Sequence, residues 1–139
     1  MIALDTNVLS EPLKQRPDER VLDWLEGLED EAVVTAVTVG ELLTGVRALP
    51  EGRRRTDLLE AIELTLQTFA GSVLPYDDVA ARRYSLLQET RRRAGRPLAV
   101  EDGMIAAICL THDAALATRN TTDFEGLDLD TVDPWREAR

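Results

Sequence analysis

Short apolar runs alternate along the chain with longer stretches of helical periodicity. Ile2-Ala3-Leu4-Asp5 reads as a short buried strand ending on an acid. Asn7 to Leu13 fits one or two helical turns, stopped near Pro12 and Pro17. Pro17-Asp18-Glu19 opens a second helix with acids in its first turn, where they complement the helix dipole. Val21, Leu22, Trp24, Leu25 and Leu28 then recur at helical spacing. Ala32 to Ala36, rich in β-branched residues, predicts a second strand, and Thr38 to Leu49 a helix with Val39, Leu42, Leu43 and Val46 on one face. Pro50-Glu51-Gly52 breaks the pattern before a long amphipathic helix through Leu58, Leu59, Ile62, Leu66 and Phe69. Ser72 to Pro75 predicts a third strand. Asp77 or Asp78 caps a helix that runs to about Ala94 and ends at Gly95-Arg96-Pro97. Val100 to Leu110 is apolar almost all round, which predicts a helix buried against a sheet. Ala115 to Thr118 reads as a fourth strand and Asp128 to Val132 as a weak fifth.

Strands alternating with helices predict an α/β sandwich with a mainly parallel sheet. No repeat, linker or low-complexity segment divides the chain, so residues 1–139 are expected to form a single domain. In such folds, ligands bind beyond the carboxyl ends of the strands.

Composition adds limits. The 139 residues are 44% hydrophobic and 30% charged, as in a soluble globular protein. No apolar run is long enough to cross a bilayer, and the first strand meets an acid too early for a signal peptide. Cys109 is the single cysteine and can form no internal disulfide, which fits a cytoplasmic location. The net charge of −10 is unusual for a protein that grips phosphate. Ten of the sixteen basic residues nevertheless lie between Arg47 and Arg96, and Lys14 is the only lysine. Solvated helix faces account for most of these arginines. Charge alone neither supports nor excludes a nucleic-acid substrate.

Four acids stand at element ends. Asp5 closes the first strand, Glu41 lies in the first turn of the helix after the second, Asp102 in the first turn of the buried helix, and Asp123 in the segment after the fourth strand. A parallel sheet would gather all four at one edge. Several kcal/mol are lost in such a gathering unless a cation neutralises it. Oxygen-only ligands select Mg²⁺ or Mn²⁺, and such a site favours phosphodiester hydrolysis. Each acid also has a plainer reading. Asp5 can cap the following turn. Thr38-Val39-Gly40-Glu41 has the form of a capping box, with Glu41 reaching back to the Thr38 amide. Asp102 can be a dipole-favoured acid beside solvated Glu101, and Asp123 an ordinary loop aspartate.

Four segments in order carry a family resemblance: Ile2-Ala-Leu-Asp5-Thr6-Asn7-Val8-Leu9-Ser10, Thr35 to Val46, Pro97 to Ala107, and Ala117-Thr118-Arg119-Asn120-Thr121-Thr122-Asp123-Phe124. The chain resembles the PIN-domain ribonucleases, and within them the VapC/FitB-type toxins of bacterial toxin–antitoxin pairs. The resemblance implies a three-layer α/β/α fold and a Mg²⁺- or Mn²⁺-dependent endoribonuclease that cleaves cellular RNA to block translation. It implies that Asp5, Glu41 and Asp102 hold the metal, that Asp123 is the fourth and more variable acid, and that Thr6 and Asn120 support the site. A homodimer, inhibition by a small cognate antitoxin, and DNA contact only through that antitoxin are further implied; no membrane partner is.

The rest of the chemistry-bearing residues fit supporting parts. His112 falls at the far end of the buried helix from Asp102, about 15 Å away at 1.5 Å per residue, and reads as a surface histidine. Cys109 and Trp24 read as core, while Trp135 could cover a dimer or partner surface. The apolar faces on either side of Pro50 fit a helical pair that embraces a partner helix, or an intramolecular core. A haloacid-dehalogenase-type phosphatase would want an aspartate at position 7, where Asn7 stands. A receiver-like domain would want a later-strand lysine, and none exists. A silent RNA-binding module is disfavoured by the intact acids.

Overall fold

The computed structural model describes residues 1–137, the side chain of Glu29 excepted. In chain order the elements are β1 (Ile2–Leu4), α1 (Thr6–Ser10) running into a 3₁₀ turn at Glu11–Leu13, α2 (Glu19–Glu26), β2 (Ala32–Thr35), α3 (Ala36–Arg47) and α4 (Arg53–Gln67). There follow β3 (Val73–Leu74), α5 (Asp78–Arg93), α6 (Val100–Thr111), β4 (Ala115–Ala117), a 3₁₀ turn at Thr121–Phe124, and β5 (Thr131–Val132). Among the described residues, five strands form one parallel sheet in the order β3-β2-β1-β4-β5.

Alternation of side chains along each strand divides the interior. Ala3, Val33 and Leu116 point to one face, where Ile105, Ala106, Cys109 and Leu87 of α6 and α5 cover them. Leu4, Val34 and Ala117, one residue on, point to the other face and meet Val8, Val21, Trp24, Leu42 and Ile62 of α1 to α4. The result is the three-layer α/β/α sandwich that the resemblance implied. Because both faces are covered, the central strands are apolar throughout rather than alternating with polar residues.

Several expectations shift by a turn. The helix expected from Thr38 begins at Ala36, because Thr35 caps it: the Thr38 amide donates to Thr35 Oγ1 at 3.2 Å. This earlier start places Glu41 in the second turn instead of the first and removes it from any capping box. The third and fifth strands contract to two residues each, since each is an edge strand paired on one side only. Trp135, expected to be free to cover a partner surface, is instead core at 5% exposure, in the same buried cluster as Trp24. His112 caps α6 as placed, but the ring is half-buried and its Nε2 is shut away with no hydrogen-bond partner among the described residues. The helix faces beside Pro50 pack inward, with Leu43, Leu58, Leu59, Leu66 and Phe69 on the second core face.

Deleting Ile108, fully buried in α6, should cost about 2–5 kcal/mol as Ile108→Ala, because it opens a cavity under the sheet. Urea unfolding followed by circular dichroism checks this. A midpoint unmoved from the parent's would place α6 outside the core.

Candidate active site

Strand order dictates where a site can form. From β1 the chain builds outward through β2 to β3, then crosses back to place β4 and β5 on the other side of β1. The order therefore reverses between β1 and β4, and a crevice opens at their carboxyl ends. The register pairs Leu4 with Ala117, so the next positions, Asp5 and Thr118, face each other across that crevice. The Thr118 hydroxyl donates to Asp5 Oδ2 at 2.7 Å. Asp5 Oδ1 accepts from the Thr6 amide at 2.8 Å as the N-cap of α1. Capping and site-building are thus one arrangement of one carboxylate, which leaves further lone pairs on each oxygen.

The other acids are placed from both sides of this crevice. Glu41, half-buried on α3, accepts from the Thr6 hydroxyl at 3.0 Å. Burial pushes its carboxyl up, the Thr6 bond draws it back, and the charges of Asp5 and Glu101 push it up again. Asp102, in the first turn of α6, is pushed from an ordinary 3.8 to about 6, first by burial and then by the charges of Asp5, Asp123, Glu41 and Glu101. Among the described residues nothing donates a hydrogen bond to its carboxylate. Asp123 is exposed on the 3₁₀ turn, with its amide donating to the Asn120 carbonyl at 3.1 Å. The four sequence-selected acids therefore share one electrostatic neighbourhood. Glu101, expected to be merely solvated, adds a fifth charge to it.

Of the expected supporting residues, Thr6 bridges Asp5 and Glu41 through amide and hydroxyl. Asn120 engages through its main chain: its amide donates to Thr118 Oγ1 at 3.2 Å. Thr118 itself, fully buried, escaped selection from the sequence. Its signal was the register, because a hydroxyl one step past β4 must face whatever lies one step past β1. Asn7 also escaped; its Oδ1 accepts from the Arg119 amide at 3.4 Å and ties α1 to the segment after β4. The Arg119 guanidinium lies 4.9 Å from the Trp135 ring centroid, a cation–π contact at this edge. Cys109 is no nucleophile: burial and then the Asp5 charge push its thiol up to about 12.

These donors suit a hard divalent cation, since all are carboxylate or hydroxyl oxygens and their charge is in excess. They do not form a closed cage. Among the described residues, no three His, Cys, Asp or Glu side chains are grouped tightly enough to hold an ion as they stand. A separate cleft of about 500 Å³, lined by Leu9, Leu25, Leu28 and Phe69, lies between α1, α2 and α4 and includes none of the acids.

Fold and site together define a three-layer α/β/α protein with an acidic pocket at its switch point. Residues 2–128 match the PIN domain family. The chain is 41% identical to "Toxin FitB" of Neisseria gonorrhoeae (strain ATCC 700825 / FA 1090), covering 99% of this chain and 100% of that protein. It is likewise 41% identical to "VapC ribonuclease Y4jK" of Sinorhizobium fredii (strain NBRC 101917 / NGR234), with coverage of 99% and 100%. A solved structure of FitAB bound to an IR36 DNA fragment superposes with a TM-score of 0.94 at 38% identity, covering 100% of this chain and 99% of that one. The chain belongs to the PIN domain family.

The crowding has a sign that can be measured. Asp102 holds its proton more tightly in the folded protein than in the unfolded chain, so stability present at low pH is lost as pH rises from 3.8 through about 6. Asp102→Asn, which carries no charge, should therefore melt higher than the parent at neutral pH in EDTA, with the gap closing below the unfolded value. A variant that melts lower at neutral pH would mean that burial and neighbouring charges do not destabilise the Asp102 carboxylate.

Proposed function

We propose that this protein is a Mg²⁺- or Mn²⁺-dependent endoribonuclease, the toxin of a toxin–antitoxin pair, which cleaves cellular RNA and so blocks translation. The observation that carries this reading is the coupling of Asp102 to Asp5, Asp123 and Glu41 at the carboxyl edge of the sheet. Four carboxylates sharing a pocket are a liability in a scaffold and an asset in a metal-assisted hydrolase. The names of the relatives, a toxin and a ribonuclease, support the same reading.

Asp5 and Asp102 would hold the cation, with Glu41 bonded directly or through water. When bound, the ion supplies charge to the phosphate oxygens and lowers the pKa of a water. The protein's own groups do the rest. Thr6 and Thr118 fix both oxygens of Asp5, so that this carboxylate is oriented before substrate arrives. Thr6 also restrains Glu41. Asp123, exposed at the rim, would accept a hydrogen bond from the attacking water or complete a second cation site. In-line displacement would leave a 5′-phosphate and a 3′-hydroxyl. Arg119, stacked on Trp135 beside the pocket, offers its fork to a neighbouring phosphate.

The remaining parts of the reading concern partners. A homodimer, a small antitoxin that silences the enzyme, and DNA contact through that antitoxin alone belong to it, as does a cytoplasmic location. No helix among the described residues is long and apolar enough to cross a membrane.

Asp5→Asn tests the chemistry with little risk to the fold, because an amide oxygen can still cap α1. RNA cleavage in Mn²⁺ should fall at least about a thousandfold in this variant, and the parent should stop in EDTA. Parent activity that persists in EDTA, or a fully active Asp5→Asn, would refute the assignment.

A further inference from the structure

One face of α5 makes an unusual set of contacts. Tyr84, Gln88 and Arg91 recur at i, i+4 and i+7 and so lie on one stripe. Tyr84 presses against Gly103, the residue after Asp102. A Cβ at Gly103 would come within 2.7 Å of Tyr84 Cε2, so only glycine lets the ring sit there. Gln88, buried, uses both ends of its amide on one residue of the segment leading into α6. Its Nε2 donates to the Leu98 carbonyl at 2.8 Å, and its Oε1 accepts from the Leu98 amide at 3.1 Å. Gln88 Nε2 also lies 3.2 Å from the Tyr84 hydroxyl.

Arg91 extends the clamp to the other loop. At 7% exposure it is buried, unlike the solvated arginine that its helical run led one to expect. Its Nε donates to the Arg96 carbonyl at 2.8 Å, and its Nη1 donates to the carbonyls of Asp123 at 3.1 Å and Glu125 at 3.3 Å. The Arg91 carbonyl accepts from the Arg96 amide at 2.8 Å, in the Schellman closure made possible by Gly95 at φ 73°. Arg96 in turn donates to the Thr122 carbonyl at 3.4 Å. No carboxylate pairs with Arg91 among the described residues. A buried guanidinium spent wholly on carbonyls, where no ion pair is formed, is costly to desolvate and suits a geometric role.

We propose that Gln88 and Arg91 are positioning residues, which set the carboxylates of Asp102 and Asp123 against each other by clamping the backbone that carries each. Asp123 needs such help most. It sits on a four-residue 3₁₀ turn with an exposed side chain, and side chains of Arg91 and Arg96 bond to the carbonyls along that turn. Arg91 bonds to both the approach to α6, at the Arg96 carbonyl, and the Asp123 turn, at the Asp123 and Glu125 carbonyls. The inference rests on the nuclease reading for its catalytic consequence, but its structural half stands apart from it.

The experiment compares Arg91→Met, Asp123→Asn and the double variant, with Arg91→Lys as the conservative control, all below their melting temperatures. Cleavage in saturating Mn²⁺ should fall by between about tenfold and a hundredfold in Arg91→Met. The double variant should be no slower than the slower of the two single variants, since Arg91 acts through Asp123. Lysine has no fork to span three carbonyls, so Arg91→Lys should stay impaired. Independently of activity, amide hydrogen exchange in Arg91→Met should quicken at residues 121–125 while the α1 amides keep the parent rate. Losses that multiply in the double variant, or exchange at 121–125 equal to the parent's, would overturn the proposal. If the parent itself cleaves no RNA, the nuclease reading fails, and the exchange result alone decides the clamp.

Discussion

Partial burial of neighbouring carboxylates is the constraint on which the site depends. Asp5, Glu41, Asp102 and Asp123, joined by Glu101, come from elements far apart in sequence; Asp5 is buried, Glu41 and Asp102 are half-buried, and Asp123 and Glu101 are exposed. For Glu41 and Asp102, burial first and then the charges of the neighbouring acids push the carboxyl up. The structure relieves the strain unevenly. Asp5 receives an amide and a hydroxyl, Glu41 receives a hydroxyl, and Asp102 receives no donor among the described residues. Asp102, half-buried and without such a donor, has its carboxyl pushed up to about 6, by burial first and by its charged neighbours second.

The fold exists to hold that arrangement rigid. One reversal of strand order puts β1 beside β4, and the hydrogen bond between Thr118 and Asp5 closes the gap the reversal leaves. The helices on the two faces then supply one acid each to the rim, Glu41 from α3 and Asp102 from α6. The core on both faces is apolar, so these acids stand at its edge. An apolar interior of this kind converts a topological feature into a site.

Much of this was legible in the chain itself. The sheet with its helices follows from apolar runs and helical spacing, and the four acids stand out by lying at element ends. Four ordered segments made the family recognisable. What escaped was whatever depends on register or on long-range hydrogen bonds. Thr118 looks like any strand threonine until Leu4 is aligned with Ala117. Glu41 satisfies the pattern of a capping box, and only the cap at Thr35 shows that its carboxylate is free for Thr6. Arg91 belongs to a run of three arginines whose fates differ: Arg92 and Arg93 are solvated, while Arg91 turns inward onto three carbonyls. Helical phase separates them, and local composition does not.

The central claim is that these crowded carboxylates form a cation site, and calorimetric titration of the RNA-free protein with Mn²⁺ tests it most directly. Binding is predicted for the parent, with affinity lost in Asp5→Asn and again in Asp102→Asn, each folded as judged by circular dichroism. Equal Mn²⁺ affinity in the parent and both variants would contradict the account.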